Sequence, residues 1–177
     1  ARRNQYKKSD TQHDLNFEKT AWRVDPALAG GGLFHDLSPH QLDLMYYFLG
    51  EPAKAFGFAN NQAGIYPADD MVTGNILFKT GVQFSGIWCF NTAAADEEDR
   101  CEIVGDKGKI SFSFFEHKPV TLTINGKTET ISFEPLQHVQ QPMIEQVVNY
   151  FLDEGPNPFS AEEGVKVMKL IDQFTGK

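Results

Sequence analysis

The chain has 177 residues, 41% of them hydrophobic, and a formal net charge of −8 at pH 7. This length is typical of one domain, since domains commonly have about 100–200 residues, and such a chain can bury roughly 70% of its unfolded surface. The negative charge argues against nucleic acids and anionic membranes as partners, because both repel an acidic protein. No apolar run approaches the length of a membrane span.

The chain opens on residues 2–8, whose pattern predicts a β-strand, and continues through residues 9–29, which show no clear periodicity. Long segments without regular structure are usually functional or disordered. This one leads to Trp22 and Arg23, a pair that favours a functional role. The alternative is a surface arginine stacked on Trp22. The basic N-terminus has no apolar core, so we do not expect it to be a signal peptide.

The rest of the chain is organised around residues 29–50, which open on three glycines. Apolar residues recur there with helical spacing. Asp36 and His40 are four residues apart, and Asp43 follows three later, so a helix places all three on one stripe. The sequence therefore predicts a helix with a polar stripe that carries an imidazole and two carboxylates.

Glycine and proline mark the end and the course of this helix. Gly50 is expected to stop it, in the position after the last turn where a left-handed residue is needed. Pro39 removes one hydrogen bond from a helix interior. It therefore predicts either one kinked helix or a short turn followed by a helix that begins near Ser38.

The spacing of Asp36 and His40 has a chemical meaning. A carboxylate beside an imidazole fixes its tautomer and aims the ring, which suits a general acid/base that acts on a hydroxyl or carbonyl. On residue types alone, the alternative is that Asp36 caps the helix or pairs with His40 for structure only. We expect no metal site from these residues with His35, Asp43 and His13, because His35 points away from the stripe of Asp36 and His40.

From Pro52 onward, short alternating segments predict strands. Three turn signals join them into hairpins: Lys79-Thr80-Gly81, Gly105-Asp106-Lys107-Gly108 and Asn125-Gly126. The expected strands cover residues 53–62, 71–79, 82–90, 100–104, 109–114, 120–124 and 128–133. Together they predict a large and mostly antiparallel β-sheet.

Two further helices are predicted at residues 138–154 and 160–175. The second begins with a capping box of Ser160 and Glu163. The first has an apolar stripe, expected to lie in the core, of Val139, Met143, Val147, Tyr150 and Phe151. Three helices can cover only one face of so many strands. The predicted fold is therefore α+β, an open-faced sheet with helices packed on one face, and the other face is expected to meet another subunit.

Several motifs occur together in a fixed order. They are Trp22-Arg23-Val24-Asp25-Pro26, Gly30-Gly31-Gly32, Asp36, His40, Asp43 and Leu49-Gly50-Glu51-Pro52. This set resembles the C-terminal domain of the Gfo/Idh/MocA oxidoreductases, which are NAD(P)-dependent sugar and polyol dehydrogenases and reductases. Residues 104–110, 141–145 and 160–164 resemble later elements of the same domain, so the resemblance covers nearly the whole chain.

The resemblance implies that residues 1–177 are a substrate-binding and oligomerisation domain that follows a Rossmann domain absent from this chain. His40 would be the catalytic general acid/base, Asp36 would orient it, and Arg23 and Trp22 would bind substrate. The substrate would be a sugar, polyol or related carbonyl compound. NAD or NADP would be bound mainly by the missing domain, since no Gly-x-Gly-x-x-Gly follows a strand here. We therefore expect no turnover from this chain alone, and a homo-oligomer formed through the open sheet face.

An alternative function is a non-catalytic sensor or assembly module that retains the family fold, because fold alone does not decide function. The intact pair of Asp36 and His40 argues against it. Cys89 and Cys101 show no metal or redox spacing and are expected to be buried thiols. With no evident export signal, they predict a cytoplasmic protein. The sequence indicates neither the particular sugar nor the choice between NAD and NADP.

Overall fold

The computed structural model describes the backbone of residues 4–6 and residues 21–176. Strand β1 (Asn4–Tyr6) is followed by a 3₁₀ helix (Ala21–Val24) and by helices α1 (Pro26–Ala29) and α2 (Leu33–Leu49). The strands after α2 are β2 (Pro52–Asn60), β3 (Met71–Phe78), β4 (Gln83–Cys89), β5 (Cys101–Val104), β6 (Gly108–Phe112), β7 (Val120–Ile124) and β8 (Lys127–Ile131). A 3₁₀ helix (Ala94–Asp96) lies between β4 and β5, and helices α3 (Gln141–Phe151) and α4 (Ala161–Thr175) complete the fold.

The strands form two four-stranded sheets, in the orders β1-β4-β3-β2 and β5-β6-β7-β8. Every pairing is antiparallel except that of β1 with β4. Strand β1 also contacts β5, so the second sheet begins beside an edge of the first. The predicted α+β fold with mostly antiparallel strands is confirmed, and its strands divide between two hydrogen-bonded sheets.

The core lies on one face of the first sheet. Helix α4 packs on β2 and β3, and α2 packs beside α4. Phe174 lies against two glycines of the sheet, with its Cα and Cβ over Gly57 and its ring over Gly74, so an added side chain at either glycine would collide with it. These two glycines face each other across β2 and β3. Their lack of a side chain is what allows α4 to lie so close to the sheet.

The other face of the first sheet is open. Side chains alternate along β2, and Phe56 and Phe58 point away from the helices, with exposed fractions of 58% and 73%. Sequence alternation with period two predicts this arrangement, because successive side chains on a strand point to opposite faces. The predicted helices on one face and open face opposite are both present in this sheet.

Helix α3 differs from its prediction. A helix occupies residues 141–151 within the predicted range 138–154, but none of its residues is buried. Val139 and Phe151, at the ends of the expected core stripe, have exposed fractions of 83% and 78%. The prediction that this stripe lies in the core is therefore wrong for this chain. An amphipathic period shows that a helix has an apolar face, but it does not show what covers that face.

The part of the irregular segment that the structure describes also differs from its prediction. Residues 21–29 form the 3₁₀ helix and α1. Asp25 caps α1, since its carboxylate accepts a hydrogen bond of 2.9 Å from the Ala27 amide, and Pro26 occupies the first turn. Aspartate followed by proline signals the start of a helix, but a helix of four residues is too short to show a helical period in the sequence. Residues 9–20 and the outer residues of the predicted strand 2–8 lie outside the described residues.

The central helix is continuous from Leu33 to Leu49 with Pro39 inside it, so the first of the two alternatives holds. Next to the proline, the Ser38 hydroxyl donates a hydrogen bond of 2.6 Å to the Phe34 carbonyl. Gly50 ends the helix at a φ of 84°, and its N–H donates to the Tyr46 carbonyl at 2.8 Å. The predicted stop is confirmed, as is the capping box of Ser160 and Glu163 at the start of α4.

Candidate functional site

The glycine run fixes where α2 begins. Gly31 and Gly32 are both buried. A side chain at Gly31 would collide with the His35 ring, and one at Gly32 would meet the methyl group of Ala68 at 2.5 Å. The first turn of α2 is therefore seated directly on the loop that contains Ala68, which no residue other than glycine allows.

That loop, residues 61–70, is itself held in place. Asp70 is 1% exposed, and its carboxylate accepts hydrogen bonds of 2.8 Å from the amides of Gln62 and Ala63. These two hydrogen bonds tie the end of the loop to its beginning, so the loop supports the first turn of α2 in a fixed position.

The buried face of α2 is tied to the first sheet by a polar contact. Gln41 is 4% exposed, and its side-chain oxygen accepts a hydrogen bond from the indole N–H of Trp88 on β4. Phe34 lies edge-on to the same indole, with ring centroids 5.0 Å apart. Because this face of α2 is fixed, its opposite stripe with Asp36 and His40 has a defined orientation toward solvent.

Arg23 lies at one end of that stripe. Its Nε is 3.8 Å from Oδ2 of Asp36, and the two side chains are 46% and 52% exposed. The guanidinium also lies over the ring of Trp22, 4.7 Å from its centroid. The structure thus brings together three of the four residues singled out from the sequence, and it keeps all three open to solvent.

His40 lies one turn further along α2 and is exposed. Its ring meets the ring of Phe115 edge-on, with centroids 6.1 Å apart and an interplanar angle of 82°. Phe115 lies between β6 and β7 and is not among the site residues predicted from the sequence. No local signal links it to His40, because only the fold brings the two segments together.

Asp36 and His40 share the stripe that the spacing predicts. In the part of the chain that the structure describes, however, the Asp36 carboxylate has an ion pair with Arg23 and no hydrogen bond to His40. The direct contact between Asp36 and His40 stays a prediction. A site that contains a guanidinium, a carboxylate and an imidazole can still bind several hydroxyl groups and transfer a proton.

Asp43 completes the stripe, in the cleft between α2 and α4. Burial raises the pKa of its carboxyl, and the nearby charge of Glu163 on α4 raises it further, while His40 acts in the opposite direction. Asp43 therefore lies near charged groups of both α2 and α4.

His35 does not join a metal site with these residues. Its ring lies against Gly31 and edge-on to Phe34 at 5.8 Å. Among residues 4–6 and 21–176, no group of three or more His, Cys, Asp or Glu side chains lies close enough to hold a metal ion. His13, the remaining ligand of that alternative, lies outside the described residues.

The described residues do not fit a dinucleotide. A phosphate-binding glycine run follows a strand and leaves its backbone open to the pyrophosphate. Gly30 to Gly32 instead follow α1, and the space beside Gly31 and Gly32 is taken by His35 and Ala68. The sheets also lack a parallel βαβ unit within residues 21–176.

Neither cysteine forms a disulfide. Cys101 is buried at the start of β5, and Cys89 is partly buried at the end of β4. None of the described helices is long and apolar enough to cross a membrane.

A family model described as the GFO/IDH/MocA C-terminal domain matches residues 3–111. "Oxidoreductase P35" from Formosa agariphila is 44% identical over 155 residues, which is 88% of this chain and 47% of that protein. The chain thus spans about half the length of the curated relative it matches.

Solved structures share the fold. Levoglucosan dehydrogenase in complex with NADH has a TM-score of 0.78 at 18% identity, over 97% of this chain and 54% of its own. Aldose-aldose oxidoreductase from Caulobacter crescentus, complexed with glycerol, has a TM-score of 0.75 at 17% identity, over 96% of this chain and 50% of its own. At these identities the likeness extends to the architecture alone.

Proposed function

Because the chain belongs to the GFO/IDH/MocA C-terminal domain family, we propose that it is the substrate domain of an NAD(P)-dependent oxidoreductase. The proposed reaction transfers a hydride to or from a sugar, polyol or related carbonyl compound. The single observation that carries this proposal is the open row of Arg23, Asp36 and His40 on one side of α2. Such a row offers donors, an acceptor and a proton carrier to a substrate rich in hydroxyl groups.

We propose that the dinucleotide is bound mainly by a Rossmann domain that precedes this one in a longer protein. The match to about half of each relative supports this arrangement. The poor fit of the glycine run to a pyrophosphate supports it too. A bound nicotinamide supplies the hydride chemistry, which no amino-acid side chain can supply.

His40 handles the proton in this proposal. During oxidation, its neutral imidazole takes the proton from the reacting hydroxyl, and during reduction the imidazolium returns that proton to the carbonyl oxygen. Asp36 and Asp43 lie four residues before and three after it, so the imidazole stands between two carboxylates on one stripe of α2. Exposure of the imidazole leaves it accessible to a substrate.

Arg23 binds the substrate oxygens. Its guanidinium has several donors in a fixed plane, and the contacts with Asp36 and Trp22 hold that plane at the end of the stripe. Hydroxyl groups on adjacent sugar carbons match such a fork of donors.

Replacement of Arg23 by alanine tests this role. In the full-length protein, we expect KM for the sugar to rise by about tenfold or more, since each lost 1.4 kcal/mol of binding gives a factor of ten. Steady-state kinetics over a panel of sugars and polyols measures this change. Lys127→Ala on β8 removes a cation far along the second sheet and is the matched control. Equal KM values for the Arg23 variant and the parent would contradict the binding role.

We further propose that two copies associate through the open face of the first sheet and that the protein is cytoplasmic. Phe56 and Phe58 are exposed by 58% and 73% on that face, and large exposed apolar patches usually mark an interface. The absence of a disulfide between the two cysteines suits a reducing compartment.

Phe58→Glu tests the association. A charge at the centre of an apolar interface has no partner there, so we expect the oligomer to dissociate. Light scattering after gel filtration measures the mass of parent and variant in solution. Tyr47→Glu, on α2 and 82% exposed, is the control and should leave the mass unchanged. A monomeric parent, or an oligomeric Phe58 variant, would rule out this face.

A further inference from the structure

We propose that Phe115 forms an aromatic wall of the substrate site, against which the C–H face of a neutral pyranose ring lies, and that buried Asp99 positions this wall. The inference rests on the proposed function, because it assigns a substrate class and two residues to the same site. Phe115 lies beyond residues 3–111, where the family model matches.

The position of Phe115 carries the argument. Its ring meets His40 edge-on at 6.1 Å and is 41% exposed, so one part contacts the imidazole and another faces solvent. Trp22, 50% exposed, lies at the other end of the polar row, under Arg23. Aromatic surface thus occurs at both ends of a row of hydrogen-bonding groups.

This alternation of surfaces matches the chemistry of a pyranose. A sugar ring has hydroxyl groups around its edge and patches of C–H groups on its faces. Ligand sites commonly pair aromatic surface with a few polar groups that fix orientation. A face of the ring on Phe115 would bring one hydroxyl toward the His40 imidazole, where the proposed proton transfer takes place.

Asp99 holds the segment that carries Phe115. Its side chain is 5% exposed, and Oδ2 accepts a hydrogen bond of 2.7 Å from the Phe115 amide. The Ser113 hydroxyl donates to the Asp99 carbonyl at 2.6 Å. Asp99 therefore holds the backbone of Phe115 and the side chain of Ser113, which together set the direction in which the Phe115 ring leaves the chain.

The other carboxylate oxygen of Asp99 indicates more than a structural role. Oδ1 is buried with no hydrogen-bond partner within the described part of the chain. Burial raises the pKa of this carboxyl, although amides of residues 114–116 oppose the shift. A buried acid with an unsatisfied oxygen is costly for stability. The hydrogen bond from the Phe115 amide to Asp99 explains why a group that lowers stability occupies this position.

The test uses the full-length protein with D-glucose, D-galactose and D-mannose as probes. We expect Phe115→Ala to raise KM for at least one pyranose by about tenfold, with kcat changed by less than about threefold, because the wall binds ground state and transition state alike. Phe115→Tyr should keep the parent KM. Phe133→Ala, which removes another exposed phenylalanine, is the matched control and should also keep it.

Asp99 is tested in the same assay. Asp99→Leu cannot accept the Phe115 amide, so its KM should rise as in Phe115→Ala. Asp99→Asn keeps an acceptor oxygen and should restore the parent KM, which a general loss of stability would not allow. Equal rises in KM for the Leu and Asn variants would overturn the positioning role. If Asp99→Leu does not fold, the comparison of Phe115→Ala with Phe115→Tyr still tests whether Phe115 forms the aromatic wall.

The outcomes separate this inference from the proposed function. A KM for Phe115→Ala within about twofold of the parent KM would rule out the aromatic wall without contradicting the proposed reaction. If the parent oxidises none of the three pyranoses, the reaction proposed for them fails. Saturation-transfer NMR of the parent and the same variants then measures pyranose binding and tests the aromatic wall directly. Pyranose binding that is lost in Phe115→Ala and kept in Phe133→Ala upholds it. An absence of binding to the parent overturns it.

Discussion

Replacing His40 by alanine is expected to lower kcat of the full-length protein by about 10²–10⁴-fold, the usual contribution of a positioned general acid/base. The imidazole is exposed on α2, so its removal should leave the fold intact. Initial rates with a saturating sugar and either nicotinamide cofactor measure the loss. Thermal unfolding of the same samples measures whether the fold is retained.

His138→Ala is the matched control, because His138 is also exposed and lies in the segment before α3, outside the proposed site. It should keep the parent rate. Asp36→Asn should fall between the two, since it keeps the shape of the side chain and removes the charge that orients the site. A His40 variant with parent kcat would remove the imidazole from the mechanism.

The largest expected effect on stability is that of Phe174→Ala. We expect it to lower the free energy of unfolding by about 3–5 kcal/mol, the typical cost of deleting a buried phenylalanine ring. Phe174 is 0% exposed, and its ring lies 6.0 Å from that of Trp88. The ring also fills the space over Gly74. Because the sheet offers no side chain at Gly74 to fill the resulting cavity, the cost should lie near the upper end of that range.

Urea denaturation followed by circular dichroism measures this difference. Phe151→Ala makes the same chemical change on α3, where the ring is 78% exposed. It should alter the free energy of unfolding by less than about 0.5 kcal/mol. Similar losses in both variants would show that α4 is not packed on the first sheet as described.

Local chemistry explains which strands could be predicted. Asn125 and Gly126 have φ angles of 50° and 76°, the conformation that asparagine and glycine adopt most readily in a two-residue hairpin. The turn therefore determines the pairing of β7 with β8 without help from the rest of the fold. The pairings of β5 with β6 and of β7 with β8 follow from such local turns, whereas β6 and β7 are joined by the longer segment 113–119. Which strands leave one sheet and begin the next is a long-range property that no turn encodes.

Helix α3 shows where periodicity stops being informative. Its apolar residues keep a helical spacing, and the helix forms as expected. Burial needs a second surface, and none of the residues of α3 is buried in the described part of the chain. The prediction therefore succeeded for local structure and was wrong for packing.

The candidate site likewise has a part that local sequence predicts and a part that only the complete fold brings together. The shared stripe of Asp36, His40 and Asp43 could be predicted because residues on one helix have fixed relative directions. The ion pair between Arg23 and Asp36 joins neighbouring elements. Residue types favoured a functional role for Arg23, and only the family resemblance suggested that this role is substrate binding. Phe115 comes from the second sheet, and its approach to His40 depends on the whole fold. Single-sequence reasoning has no means to find such a contact.

The central claim is that this chain provides the substrate half of a nicotinamide-dependent oxidoreductase. Its most direct test is a fluorescence titration of the full-length protein with NADH and NADPH, followed by turnover assays on sugars. We expect saturable binding of at least one cofactor by the parent. We also expect that the His40→Ala variant still binds this cofactor but has lost turnover. Failure of both cofactors to bind would contradict the account and favour a sensor or assembly module with the same fold.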